Sequence, residues 1–209
     1  MTQYQPQGFS LLPTAVKHLI IINALVFGAD IVLERQGIID LSSLLGLWSL
    51  DVPATNPYGH FHFWQPLSYM FMHANFSHIF FNMFNLWMFG AAMENFWGTR
   101  RFIIYYLACG IGAGLLYAMI PGMHVTVGAS AAVYGLLLAF GMTFPNEYIY
   151  LYFLMPIKAK WFVIGYALIE LFEGIFVSYD GIAHFAHLGG MLVGLLLILW
   201  WRKHPFSRI

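Results

Sequence analysis

His78 with Asn82, Ser130, and His187 stand near the same end of three separate apolar segments, in a chain that is otherwise almost all hydrophobic. Polar and ionisable groups are costly at membrane depth, so several that share one level mark a candidate site. A serine, a histidine and a pair of hydrogen-bond donors are the parts of an acyl-transfer centre: nucleophile, general base and oxyanion support.

The serine lies in GASAAVYG, residues 128–135. Small residues around it, Gly128 first, let backbones approach closely, and a serine that opens a helix has unpaired N–H groups beside it that can bind an oxyanion. Taken alone, a serine in such a stretch is more often a packing contact. The histidine lies in HFAHLGGMLVG, residues 184–194, with Gly190 and Gly194 three and seven positions beyond His187. The face carrying the ring is therefore bare and can press against another helix, the serine-bearing one being the expected partner. In that arrangement the Ser130 hydroxyl meets the His187 imidazole, which takes the proton as serine attacks a carbonyl and returns it to the leaving amine. His78 and Asn82, four residues apart in SHIFFNMFN, share one helical face and can both donate to an oxyanion, or serve as interhelical glue. Tyr134, one turn beyond Ser130, is set to pack against His187 or simply to fill space.

Composition says what must hold these residues. Of the 209 residues 60% are apolar, 19% aromatic and only 9% charged, which indicates an all-α integral membrane protein. At about 20 residues per span the chain has room for about seven or eight spans at most and no sizeable soluble domain. A single membrane domain over 1–209 is expected, with short tails at both ends. The formal charge is zero, so no basic surface for nucleic acid is indicated, and the single Cys109 has no partner in the chain for a disulfide. The opening residues lack the charged start and cleavage site of a signal peptide and are expected to remain.

Apolar length and the breaks between runs predict six spans, at 16–33, 77–94, 101–120, 130–144, 161–177 and 182–201. The fourth is short, roughly 22 Å against a hydrocarbon core of about 30 Å, so its first turn is expected to begin inside the membrane. With the N-terminus in the cytoplasm, Lys17, Arg100, Arg101, Lys158, Lys160, Arg202, Lys203 and Arg208 fall on the cytoplasmic side and only Arg35 outside. Spans two, four and six then all run inward, placing the four candidate residues near the outer face. A bacterial cell membrane is the expected location. The connection 36–76 has no Lys or Arg; Leu41, Leu44, Leu45 and Trp48 form a stripe suited to a short interfacial helix, and Phe61, Phe63 and Trp64 suit an aromatic belt. This loop is expected to lie against the outer leaflet.

The segments WQPLSYMFMHANFSHIFFN (64–82), GAAMENFWGTRR (90–101), GASAAVYG (128–135) and AHLGGMLVG (186–194) resemble, in order and spacing, the signature segments of the rhomboid family of intramembrane serine proteases. The resemblance implies a rhomboid-like core of six transmembrane helices, with the short serine-bearing helix surrounded by the other five. By position it implies Ser130 as nucleophile, His187 as general base, and His78 with Asn82 as oxyanion support. It likewise implies His73 as a brace for the outer loop, Tyr134 beneath the catalytic ring, and Glu94 as a structural carboxylate. Two residues depart from the pattern. Ala131 stands where glycine usually follows the nucleophile, which would narrow the oxyanion site, and Gln65 stands where arginine often follows the loop tryptophan, which would remove a loop-stabilising contact.

No third acid is obvious, and the resemblance implies a two-residue Ser–His machine; Asp180 lies two turns before His187 and near the surface. Glu170 and Glu173, one turn apart in span five, could mark an ion path or a second site, or hydrogen-bond to neighbouring helices. No cofactor and no metal is expected, because there is no HExxH motif and no Cys–His cluster. A metal carrier or metalloenzyme would have to use His78, His184 and His187; a transporter would have only Asp30, Glu170 and Glu173. The stronger alternative is a proteolytically inactive rhomboid-like protein that binds membrane proteins for quality control. The expected substrates are transmembrane proteins in the lipid bilayer, cut near the outer face at helix-weakening sites, because a helical peptide bond must unwind before it can be attacked. Oligomeric state is left open.

Overall fold

A computed structural model describes residues 9–122, 125–151, 154–176 and 183–204. Asp180, Arg208, and the predicted end of span five at Val177 and start of span six at Ile182 lie outside the described residues. The chain is mostly helical. Among the described residues, three helices are long and apolar enough to cross a membrane: α1 (Thr14–Arg35), α6 (Thr99–Ala118) and α9 (His184–Lys203). At 1.5 Å per residue each reaches about 30 Å or slightly more, the thickness of a hydrocarbon core.

Between α1 and α6 lie two short helices, α2 (Leu41–Leu45) and α3 (Gln65–Ser68), then α4 (Phe76–Asn85), which passes through a π turn at Leu86–Gly90 into α5 (Ala91–Trp97). Gly98, at φ +80°, breaks the run and lets α6 start one residue later. After α6 come α7 (Ser130–Thr143), an antiparallel hairpin of β1 (Tyr148–Leu151) and β2 (Met155–Lys158), and α8 (Ala159–Phe176). The hairpin, in register Tyr148 to Lys158, occupies a stretch the apolar-length reading treats as a plain connection.

The short α7 is the centre of the molecule, packed by α4, α5, α6, α8 and α9. Its Ala131, Ala132, Gly135, Leu136 and Ala139 are all buried, because small residues let the neighbours close on it from every side. Gly190 of α9 is where α7 is met most closely: a Cβ there would lie 1.9 Å from the Ala131 carbonyl oxygen. Gly194 faces Tyr105 of α6 instead, so the bare glycine face is shared between two helices rather than given to α7 alone. Helix α1 begins after Pro13, and its first N–H groups, of Ala15 and Val16, donate to the two carboxylate oxygens of Glu94 in α5, each at 2.9 Å. Glu94 also accepts from Thr99 Oγ1 at 2.7 Å, so this buried carboxylate joins α1, α5 and α6.

Residues 36–76 are pinned to the segment that leads into α7. Leu47 and Thr126 exchange backbone hydrogen bonds of 2.9 Å, and within the loop Ser68 Oγ donates to the Leu45 carbonyl at 2.7 Å. The expected interfacial helix is shorter than its stripe: α2 starts on its Asp40 cap and stops at Gly46, before Trp48 can join the same face. Gln65 does not weaken this loop. Its buried side chain accepts from the N–H groups of His62 (3.0 Å) and Trp48 (3.3 Å) and donates to the His60 carbonyl at 3.0 Å, so an uncharged amide staples both strands of the loop.

Candidate active site

Ser130 is the first residue of α7, delivered there by Gly128 at φ +129°, whose N–H donates to the Tyr69 carbonyl at 2.9 Å. A Cβ at Gly128 would lie 2.8 Å from two atoms of the His78 ring and 3.6 Å from Ser130 Oγ, so the absence of a side chain lets His78 and the serine share one small space. His187, in the first turn of α9, places Nε2 2.8 Å from Ser130 Oγ. Its ring stacks on Tyr134 at 4.4 Å between centroids and 5° between planes.

His78 sits in the first turn of α4 under its Asn75 cap. The Ala74 N–H donates to its Nδ1 at 3.4 Å, an arrangement that leaves the ring proton on Nε2, the nitrogen nearest Gly128. His73 is buried and packs edge-on against His78 at 5.1 Å. Asn82, one turn further along α4, donates one amide hydrogen to the His78 carbonyl at 3.0 Å and keeps a second. Ala131 is buried in the apolar core cluster.

Ser130, His187, Tyr134, His78, His73, Gly128 and Gly190 are thus brought to one end of the bundle by three separate stretches of chain. The sequence reading missed one member of this group. Glu170 of α8 is buried, with Oε2 2.9 Å from His187 Nδ1 and 2.8 Å from His184 Nδ1, while Oε1 accepts from the Tyr134 hydroxyl. An acid therefore stands beside the histidine after all, on α8. One signal could have found it: a carboxylate in an apolar span needs donors, and the His184–His187 pair one helix later supplies two of them.

Among the described residues, Glu170, His184 and His187 form the group that could hold a metal ion, with ligand atoms all within 4.8 Å of one another; Glu170 takes the place that sequence reasoning assigned to His78. Their N-to-O separations of 2.8 and 2.9 Å are those of hydrogen bonds and shorter than the roughly 3.3 Å that tetrahedral zinc imposes on neighbouring ligands. The contacts are those of a polar network, and the arrangement can move a proton from a hydroxyl to a ring nitrogen.

The Rhomboid domain family matches residues 60–204. RHOMBOID-like protein 1 of Arabidopsis thaliana is 30% identical over 177 residues, which is 84% of this chain and 40% of that protein. Rhomboid-like protein 11, chloroplastic, of the same plant is 33% identical over 158 residues, 71% of this chain and 56% of the relative. Rhomboid protease GlpG of Photorhabdus laumondii is 28% identical over 152 residues, 71% of this chain and 51% of the relative. The chain spans about half the length of these relatives. Because the match takes in Ser130, His187 and every helix from α3 to α9, the chain belongs to the rhomboid family.

Proposed function

We propose that the protein is an intramembrane serine endopeptidase that cuts transmembrane segments of other membrane proteins through Ser130 and His187. The observation that carries this reading is the 2.8 Å contact between Ser130 Oγ and His187 Nε2 at the mouth of the bundle. In the reaction Ser130 Oγ attacks the carbonyl carbon of the scissile peptide and its proton passes to His187 Nε2. The tetrahedral oxyanion is held by the Nε2–H of His78 and the second amide hydrogen of Asn82. Collapse breaks the C–N bond as His187 gives its proton to the leaving amine. Water, deprotonated in turn by His187, hydrolyses the ester and restores the serine.

In this reading six spans cross the bilayer, with α4 to α5, the short α7 and α8 joining the three long helices. Eight of nine positive charges face the cytoplasm together with both termini. The loop 36–76 rests on the outer leaflet, with Phe63 exposed and Trp64 half-buried. The site then opens just below the outer surface, where water has a short path in, and substrates are helices whose residues at that depth unwind easily. Purified protein is expected to cleave such a segment and to react with a serine-directed phosphonate, and Ser130→Ala or His187→Ala to abolish both. Cleavage by Ser130→Ala at the wild-type rate would refute the mechanism; a wild type that binds but never labels would identify a non-proteolytic membrane-protein binder.

A further inference from the structure

The polar network behind His187 has more members than a two-residue mechanism uses. Glu170 Oε2 lies 2.9 Å from His187 Nδ1 and 2.8 Å from His184 Nδ1, and its other oxygen accepts from Tyr134. Buried polar groups persist where their hydrogen-bonding capacity is met, and here one carboxylate meets three donors from two helices. Resting on the protease reading above, we propose that Glu170 completes a Ser130–His187–Glu170 triad, as the positioning residue that selects the tautomer and orientation of the base.

The argument is one of donors and acceptors. An ionised carboxylate only accepts, so each imidazole nitrogen facing Glu170 Oε2 must carry its proton. With Nδ1 protonated, the neutral His187 ring has its lone pair on Nε2, the nitrogen that faces Ser130 Oγ at 2.8 Å. The opposite tautomer would point two lone pairs at each other across 2.9 Å and leave Nε2–H facing the nucleophile, unable to accept its proton. Glu170 therefore makes the ring a base toward Ser130.

It also acts during the reaction. When serine attacks, positive charge develops on His187, and a fixed carboxylate at hydrogen-bond distance in a water-poor interior stabilises that charge without having to reorganise. His184 is the second clamp on the same oxygen; together with the Tyr134 hydroxyl it holds the carboxylate in place. Tyr134 serves twice, since its ring also supports the His187 plane.

A purely structural role, tying α7, α8 and α9 together, predicts different behaviour from a catalytic one when the carboxylate becomes its isosteric amide. Glutamine keeps an acceptor for both Nδ1–H groups and so preserves the tie, but removes the charge. The test compares wild type, Ser130→Ala, Glu170→Gln and Glu170→Asp in detergent, measuring kcat and KM on a transmembrane-segment substrate, the phosphonate labelling rate and the melting temperature. Glu170→Gln is expected to lower kcat and labelling by on the order of 10²-fold or more with KM and melting temperature nearly unchanged, and Glu170→Asp to recover part of the loss. Wild-type kcat in a folded Glu170→Gln protein would overturn the proposal. Should that variant fail to fold, the wild type still decides: 15N spectra of labelled histidine are expected to show a protonated Nδ1 and an unprotonated Nε2 for His187, and the reverse tautomer would overturn it. Absence of cleavage and labelling in the wild type itself rejects the protease reading and the triad with it, whereas equal rates for wild type and Glu170→Gln reject the triad alone.

Discussion

At the scale of single residues, the site depends on side chains that are missing as much as on those present. Gly128 combines φ +129° with a position where a Cβ would sit 2.8 Å from the His78 ring, so alanine there is strained in its backbone and displaces an oxyanion donor. Gly128→Ala is expected to reduce kcat by on the order of 10²-fold, the loss typical of removing one oxyanion donor, and to lower the melting temperature through the strained backbone; wild-type turnover would contradict this geometry. His73 offers a test by pH. Burial, then the neighbouring His78, push its imidazole from the ordinary 6.5 down to about 4, so the folded protein refuses a proton that the unfolded chain accepts. Its contribution is intact above pH 6.5 and is lost as pH falls toward about 4, at up to about 1.4 kcal/mol per unit. Melting temperatures measured from pH 7 down to 4.5 are expected to fall less steeply for His73→Leu than for wild type, and parallel slopes would exclude the effect.

At the scale of elements, two backbones in near contact set the distance across the site. Helices α7 and α9 meet where Gly190 faces the Ala131 carbonyl, one residue from Ser130 on one side and one turn from His187 on the other. Alanine at 190 would place its methyl 1.9 Å from a backbone oxygen that cannot swing aside, so the helices must separate. Gly190→Ala is expected to destabilise the protein by about 1–3 kcal/mol or more and to slow phosphonate labelling as well. Gly165 of α8 is the control, since nothing lies within 4 Å of a Cβ there and alanine should be neutral or stabilising by up to about 1 kcal/mol. Equal melting temperatures for the two variants would show that the crossing is not as tight as drawn. The capping of α1 by Glu94 obeys the same logic at the other end of the bundle: a helix start is satisfied by a residue almost 80 positions away.

At the scale of the whole molecule, the polar groups of the candidate site are gathered at one end of an apolar bundle, and that concentration makes two chemistries conceivable there. Glu170, His184 and His187 could ligate a metal, but their spacing is that of hydrogen bonds and the nucleophile in reach is a serine. Strong chelators are therefore expected to leave cleavage and labelling unchanged; loss of activity that zinc restores would favour a metal-dependent reaction instead.

Much of this was legible without coordinates. The apolar runs of α1, α6 and α9 announce themselves because a helix exposed to lipid must be hydrophobic over its whole length, a signal carried locally by each segment. Ser130 and His187 were marked by the scarcity of polar residues at that depth and by the glycines around them. Three things were not local. Glu170 could be read as an ion-path residue or as interhelical glue until folding set its oxygens against His184, His187 and Tyr134. Gln65 looked like a lost contact until the loop closed around its amide, and Gly194 looked like part of the α7 seam until Tyr105 filled the space beside it. Each of these depends on which helix lies next to which, and on contacts of a few ångströms between residues far apart in the chain. Residue type and depth can nominate the members of a site, but only the packing of α7, α8 and α9 decides which proton each nitrogen carries.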